Sequence, residues 1–117
     1  MGRKQFKSGY KIFDAVALSG NQTSSATNVE SWDKASILVE WSAGSTPVGT
    51  LTVEVRYRDD GNWVELDMSS AINISGNSGN HQLVFNELPF KDLRLVYTRS
   101  SGDATMTATI AHKTVGA

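Results

Sequence analysis

The side chains with chemistry to offer are few: His81 and His112, the carboxylate pair Asp59 and Asp60, and an arginine set at Arg56, Arg58, Arg94 and Arg99. Three indoles, Trp32, Trp41 and Trp63, join them, and there is no cysteine. A zinc or iron site needs clustered imidazole, thiolate or carboxylate ligands at set spacings, and neither histidine has such a neighbour in an H-x-H or H-E-x-x-H pattern. Nucleophilic serine chemistry wants a G-x-S-x-G elbow, and phosphate cradling wants a Walker or dinucleotide glycine loop; the sequence holds neither. Asp59 and Asp60 with Asn62 offer clustered hard oxygens to a calcium ion. The same residues also serve a tight turn through side-chain to backbone hydrogen bonds, and that is the expected use. No catalytic residue, metal or cofactor is therefore expected, and the chain reads as a non-enzyme.

Two binding chemistries remain. Trp63 directly follows a turn, as does many a sugar-stacking indole, and Trp32 sits in a segment without periodicity, at a sandwich end or facing a partner. Packing is the expected role of all three tryptophans, with Trp41 in the core by its register. Arg56, Arg58, Arg94 and Arg99 interleave with Glu54, Asp59, Asp60, Glu65 and Asp92. That mixture reads as a solvated face with cross-strand ion pairs rather than a phosphate track, so no direct nucleic-acid partner is expected.

The elements that must position these groups have a period of two. Residues 50–58 send Leu51, Val53, Val55 and Tyr57 one way and Thr50, Thr52, Glu54, Arg56 and Arg58 the other, the alternation of a half-buried strand. Residues 36–41 place Ile37, Val39 and Trp41 on one face, and residues 92–99 turn Leu93, Leu95 and Tyr97 inward. Residues 104–113 put Met106, Ala108, Ile110 and His112 on one side and Thr105, Thr107 and Thr109 on the other. This register makes His112 a core-edge histidine, while His81 is expected exposed. Shorter runs lie at 10–18, 26–29, 63–67, 71–74 and 81–86. No window carries helical spacing.

Between the runs, 59–62 (Asp-Asp-Gly-Asn) and 100–103 (Ser-Ser-Gly-Asp) read as tight hairpins, because each supplies a glycine that takes positive φ cheaply. Residues 42–49 and 75–80 read as connections, the second flexible. The expected fold is all-β: a single antiparallel two-sheet β-sandwich, jelly-roll-like, of about eight or nine short strands.

At 117 residues the chain is one domain long, and a chain of this size buries about two-thirds of its unfolded surface. We divide it into a basic N-terminal arm at 1–11, with Arg3, Lys4, Lys7 and Lys11, and a β-sandwich domain at 12–117. The formal net charge of −1 steers the molecule to neither nucleic acid nor an anionic membrane. Its lack of cysteine suits folding in a reducing cytosol. No apolar run approaches the ~20 residues of a membrane span, and no secretion signal is expected at the N-terminus. The threonines of the last strand, with Thr50 and Thr52, form a lightly charged wall of β-formers. The last strand reads as an edge blunted only by Lys113 and the Gly-Ala end, which suits contact with other protein and a homo-oligomeric state.

Residues 88–113 (LPFKDLRLVYTRSSGDATMTATIAHK) resemble the C-terminal signature of small virion proteins of tailed bacteriophages. Residues 35–42 (ASILVEWS), 47–54 (PVGTLTVE) and 61–66 (GNWVEL) follow the same pattern in the same order, so the resemblance spans 12–113. Gly102-Asp103-Ala104 stands where a Gly-Thr-Gly-type turn is the family pattern, which implies a different shape at that tip. The resemblance implies a non-enzymatic structural protein, assembled in the host cytoplasm, and most specifically a capsid decoration or cement protein on the capsid exterior. It implies the major capsid protein as partner and a trimer at local three-fold points. Arg3, Lys4, Lys7, Trp32, Arg94, Arg99, Thr105, Thr107 and Thr109 are the candidate protein-interface residues. The alternative is a tail or head-fibre module that binds host surface glycans through Trp32 or Trp63.

Overall fold

Alternation of apolar and polar residues carries through two strands far longer than the runs expected from sequence. The computed structural model describes residues 4–66 and 72–115, with side chains at 11–66 and 72–113. Its strands are β1 (Lys4–Ala17), β2 (Gln22–Thr23), β3 (Thr27–Asn28), β4 (Lys34–Arg56), β5 (Val64–Glu65), β6 (Ile72–Ser75), β7 (Gly79–Phe85) and β8 (Asp92–Val115). All pairings are antiparallel and all eight strands belong to one open sheet, in the order β1-β8-β4-β5. β2 and β3 extend the β1 side along β8, and β6 and β7 extend the β5 side along β4, so the last strand is central and paired on both sides rather than the edge its light charge suggested. The described residues contain no helix.

The two central strands correct two turn assignments. Residues 100–103 form no hairpin, because both halves of β8 pair with β4, from Lys34↔Lys113 to Arg56↔Asp92. Residues 42–49 likewise lie inside β4. What looks like turn chemistry is a bulged corner. Seven steps of β4, Ser42 to Gly49, lie against six steps of β8, Thr105 to Arg99, through three register shifts. Extra residues in a ladder bend the strand and increase its twist. Gly102 takes φ 74° at this corner, and Ala43 and Thr46 take φ 54° and 49°. The corner also flips the inward parity of β8, from Leu93, Leu95 and Tyr97 to Ala104, Met106, Ala108 and Ile110.

The link between β6 and β7 fills the concavity beside this corner. The Gly44 N–H donates to the Asn77 carbonyl (3.0 Å), and the Thr46 N–H donates to Asn77 Oδ1 (2.9 Å). Trp41 Nε1 donates to the Gly76 carbonyl at 3.2 Å. Gly76 and Asn77 are thus tied to β4 at Trp41, Gly44 and Thr46, where sequence suggested a flexible connection. A turn does form at 59–62, with the Gly61 N–H donating to the Arg58 carbonyl (2.9 Å) and β5 returning along β4 at Glu54↔Glu65. Gly61 is not at positive φ, however, and residues 56–63 separate the paired Val55 and Val64, so the hairpin is wider than the tight one expected.

The bend brings the ends of β8 together. Asn28 pairs with Asp92 at one end, and the Asp33 N–H donates to the Lys113 carbonyl at the other. Five residues reach at most about 18 Å, whereas the strand between those ends would run ~70 Å if straight. The sheet therefore folds back on itself, and the buried side chains of both halves form one cluster that includes Ile37, Val39, Val53, Leu95, Met106 and Ile110. Burying each such side chain fully contributes roughly 1.5–3 kcal/mol, so this shared core holds the halves together. Trp41, 7 % exposed, lies in it as its register required.

The boundary drawn at residue 11 falls within β1, whose pairing with β8, shifted in register at three points, sets Lys4 opposite Val115, Lys7 opposite His112 and Lys11 opposite Thr109. Arg3 lies outside the described residues, as do the side chains of Lys4 and Lys7.

Candidate interaction surface

The outer face of the folded sheet differs between its two halves. In the half built from residues 48–56 of β4 and 92–101 of β8, outward positions carry Thr50, Thr52, Glu54 and Arg56 beside Asp92, Arg94, Val96 and Thr98. Register sets Glu54 opposite Arg94 and Arg56 opposite Asp92. Arg94 grips one oxygen of Glu54, with Nε at 2.7 Å and Nη2 at 2.6 Å, and Arg56 Nε lies 2.8 Å from Asp92 Oδ2. The β4–β5 turn then lays Trp63 across both pairs. Its ring centroid is 4.2 Å from the guanidinium carbon of Arg94 and 4.7 Å from that of Arg56. Cationic groups at this distance are attracted by the ring quadrupole, by about 0.5–1 kcal/mol each where water still reaches them. The cross-strand ion pairs expected from sequence are present, and Trp63 covers them.

Beside this cover, Lys91 Nζ reaches Asp59 at 3.3 Å and Glu30 at 3.8 Å, while Arg58 pairs with Asp60 at 3.2 Å. The hydrogen bond that Lys91 donates to Asp59 raises its ammonium above the usual lysine range, against the desolvation that lowers it and with help from the charges of Asp59, Glu30 and Asp92. Both carboxylates at the hairpin tip therefore face cations. Among the described residues no group of three or more metal-ligating side chains occurs.

The other half, built from 34–42 of β4, 103–113 of β8 and β7, has no such cover. Thr105, Thr107 and Thr109 line one hollow of about 560 Å³ with Lys11, Glu40, Ser42 and Asn80. A second, of about 310 Å³, lies over Ser36 and Ala111 and is rimmed by Lys34, Gln82, Val84 and Lys113. Leu38 and Val84 stand outward here, 41 % and 61 % exposed. The three threonines are thus brought together on one surface, though Thr107 Oγ1 also accepts the Ala15 N–H (3.2 Å) at a bulge of β1.

The remaining candidates scatter. Arg94 belongs to the Trp63 cluster. Arg99 is exposed at the corner, where its N–H donates to Asn21 Oδ1 and its Nε to the Gly102 carbonyl, both at 2.8 Å. Trp32 lies at the far end, stacked flat on His112 with centroids 3.7 Å apart and an interplanar angle of 5°. His112 is half-buried in its inward register, and His81 on β7 is exposed. Sequence reasoning did not single out Leu38 and Val84. The signal was present for Leu38, an apolar residue at an outward position between Ile37 and Val39.

No protein-family model matches the chain, and no curated protein does. Among solved structures it is similar to the SPBc2 prophage-derived protein YomS, with a TM-score of 0.58 at 13 % identity over 95 % of each chain. The fold is shared across nearly the whole length of both. FLHE aligns over 97 % of this chain and 95 % of its own at 18 % identity, but with a TM-score of only 0.31.

Proposed function

We propose that this chain is a non-enzymatic structural protein of a phage particle, and within it a decoration protein that adds interface between capsid subunits. The observation that carries the reading is the likeness of fold, over 95 % of both chains, to a prophage-derived protein. The uncovered half of the outer face supports it: with open hollows and the outward Leu38 and Val84, it offers area for protein contact rather than an enclosed site. In this reading the sheet folded over one core takes the part of the two-sheet sandwich. The partners are the major capsid protein and further copies of the chain, a three-fold arrangement being the family expectation, and the place is the capsid exterior after assembly in the host cytoplasm.

The fibre-module alternative needs a flat aromatic platform for a sugar. Trp63 already engages two guanidiniums and Trp32 a histidine ring, which counts against it.

Gel densitometry of purified particles tests the proposal. A decoration protein is present in copy number comparable with the major capsid protein, as symmetric coverage of a shell demands. A trace amount would move the protein to a fibre or tail, and absence from the particle would end the structural reading.

A further inference from the structure

The two long edges of the sheet are guarded unequally. An edge strand presents unpaired N–H and C=O groups, and proteins that stay monomeric blunt such edges with lysines, prolines or bulges. β1 has such devices: Lys4, Lys7 and Lys11 fall along it, and three register shifts interrupt its pairing with β8. β7 has none. Its seven residues, Gly-Asn-His-Gln-Leu-Val-Phe, include no lysine, arginine, carboxylate or proline. It pairs with β4 in unbroken register from Ala35↔Phe85 to Trp41↔Gly79, and among the described residues β4 is its ladder partner. Beside it stand the exposed side chains of Val84 and Leu38.

We propose that β7 pairs antiparallel with β7 of a second copy about a two-fold axis, joining two sheets into one. Charge selects this partner. Two β7 strands meet with no formal charge between them, whereas β1 carries three lysines against one carboxylate, Asp14, which already pairs with Lys11 at 3.5 Å. β1 against β1 would therefore bring together two strands of net positive charge, which is unfavourable across a ladder. β1 against β7 would leave Lys4 and Lys7 without carboxylates on the facing strand to meet. A two-fold contact is self-complementary and closes at two copies, and it places the outward Val84 and Leu38 of both subunits on one continuous face. The proposal does not depend on the phage reading, and it assigns the contact between copies to a two-fold rather than a three-fold axis.

Sedimentation equilibrium of the full-length chain over a wide concentration range is the first test, with a mass of two chains expected at the upper end. The paired substitution Gln82→Lys with Val84→Lys gives the β7 edge the guard it lacks; it should return the mass to one chain while the far-UV spectrum stays unchanged. Lys11→Gln on β1 should leave the dimer intact. Because the chain has no cysteine, Asn80→Cys, Gln82→Cys and Val84→Cys, made one at a time, give an independent readout that tolerates a poorly folded lysine variant. At least one should form a disulfide-linked dimer under mild oxidation. A monomer at every concentration, a trimer, or a dimer that none of the three cysteines cross-links would each overturn the proposal; so would capture of β7 by a capsid-protein strand in place of a second copy.

Discussion

The two halves of the folded sheet share a core and differ on their outer faces. Near the Asp59–Asp60 turn, two arginines, two carboxylates and Trp63 close the surface over β4 and β8. Along β7 and the threonines of β8 the same two strands are left open. Both faces obey one alternation, so strand pattern does not distinguish them. The difference comes from what the next segment does. The turn after β4 returns an indole onto the first face, while the segment entering β7 spends its polar groups on the corner, through Gly76 and Asn77. As proposed, the ion pairs under Trp63 serve stability and the open face beside β7 serves contact, although Val48, Tyr57 and Val64 are also exposed near the covered half.

The largest effect is expected where the halves meet. Gly102 takes positive φ, and a Cβ there would run into the Thr46 carbonyl, a backbone group with little freedom to yield. Strained φ and overpacking cost roughly 1–3 kcal/mol each. Gly102→Ala should lose ~3 kcal/mol or more of unfolding free energy in urea titrations. A loss below ~1 kcal/mol would mean that the corner yields easily and that the halves are not held in register by it.

Within the closed half, Trp63→Ala removes the cover from two guanidiniums and the buried part of an indole. A cost of ~2 kcal/mol is expected from two cation–π contacts and the lost apolar burial. Trp63→Phe should recover part of it. If Trp63→Ala unfolded at the wild-type midpoint, the cover would be ornamental and the contrast between the faces would lose its energetic meaning.

How much of this was legible beforehand follows from what each feature depends on. The inward set Leu51, Val53, Val55, Leu93, Leu95 and Tyr97 was readable because side-chain direction in a strand is fixed by chain position; Tyr57, assigned to the same face, is 67 % exposed because β4 ends at Arg56. The pairs Glu54–Arg94 and Arg56–Asp92 were readable as a type, a charged outward face, though not as partners, because partnership requires the register between distant strands. The corners misled for a physical reason. Glycine with serine and aspartate gives the chain cheap positive φ, and both a hairpin and a bulged bend need that. Residues 100–103 flip the inward parity in either case, so only the shared partner β4 tells them apart. Asn77 gave no signal at all, since its roles are to backbone groups some thirty residues away in β4.

A smaller effect sharpens the comparison from the inner side. Tyr97 is fully buried beside Gly49, and its hydroxyl has no hydrogen-bond partner among the described residues. An unpaired buried hydroxyl costs free energy, so Tyr97→Phe should be neutral or stabilising by up to ~1 kcal/mol. Burial raises the phenol's pKa, with the Arg99 charge opposing in part. The folded state therefore favours the neutral phenol. That contribution is whole below the unfolded value near 10 and fades as pH rises through the folded one. Tyr97→Phe should flatten the alkaline fall of the denaturation midpoint, leaving the fall from Lys91, whose raised pKa has the same sign. Equal slopes in both proteins would show that Tyr97 does not ionise in this range.

The smallest expected effect on stability falls in the open half, and its smallness is the point. Leu38→Ser with Val84→Thr removes apolar surface that already faces water. Unfolding free energy should change by no more than about 0.5 kcal/mol, the usual range for surface substitutions. What should change is association, because the same two side chains join one face when β7 meets β7. A variant that keeps its denaturation midpoint but loses its two-chain mass would separate contact from stability on opposite halves of one sheet. A variant that loses both together would show that Leu38 and Val84 contribute to the fold, and the division of labour between the faces would fail.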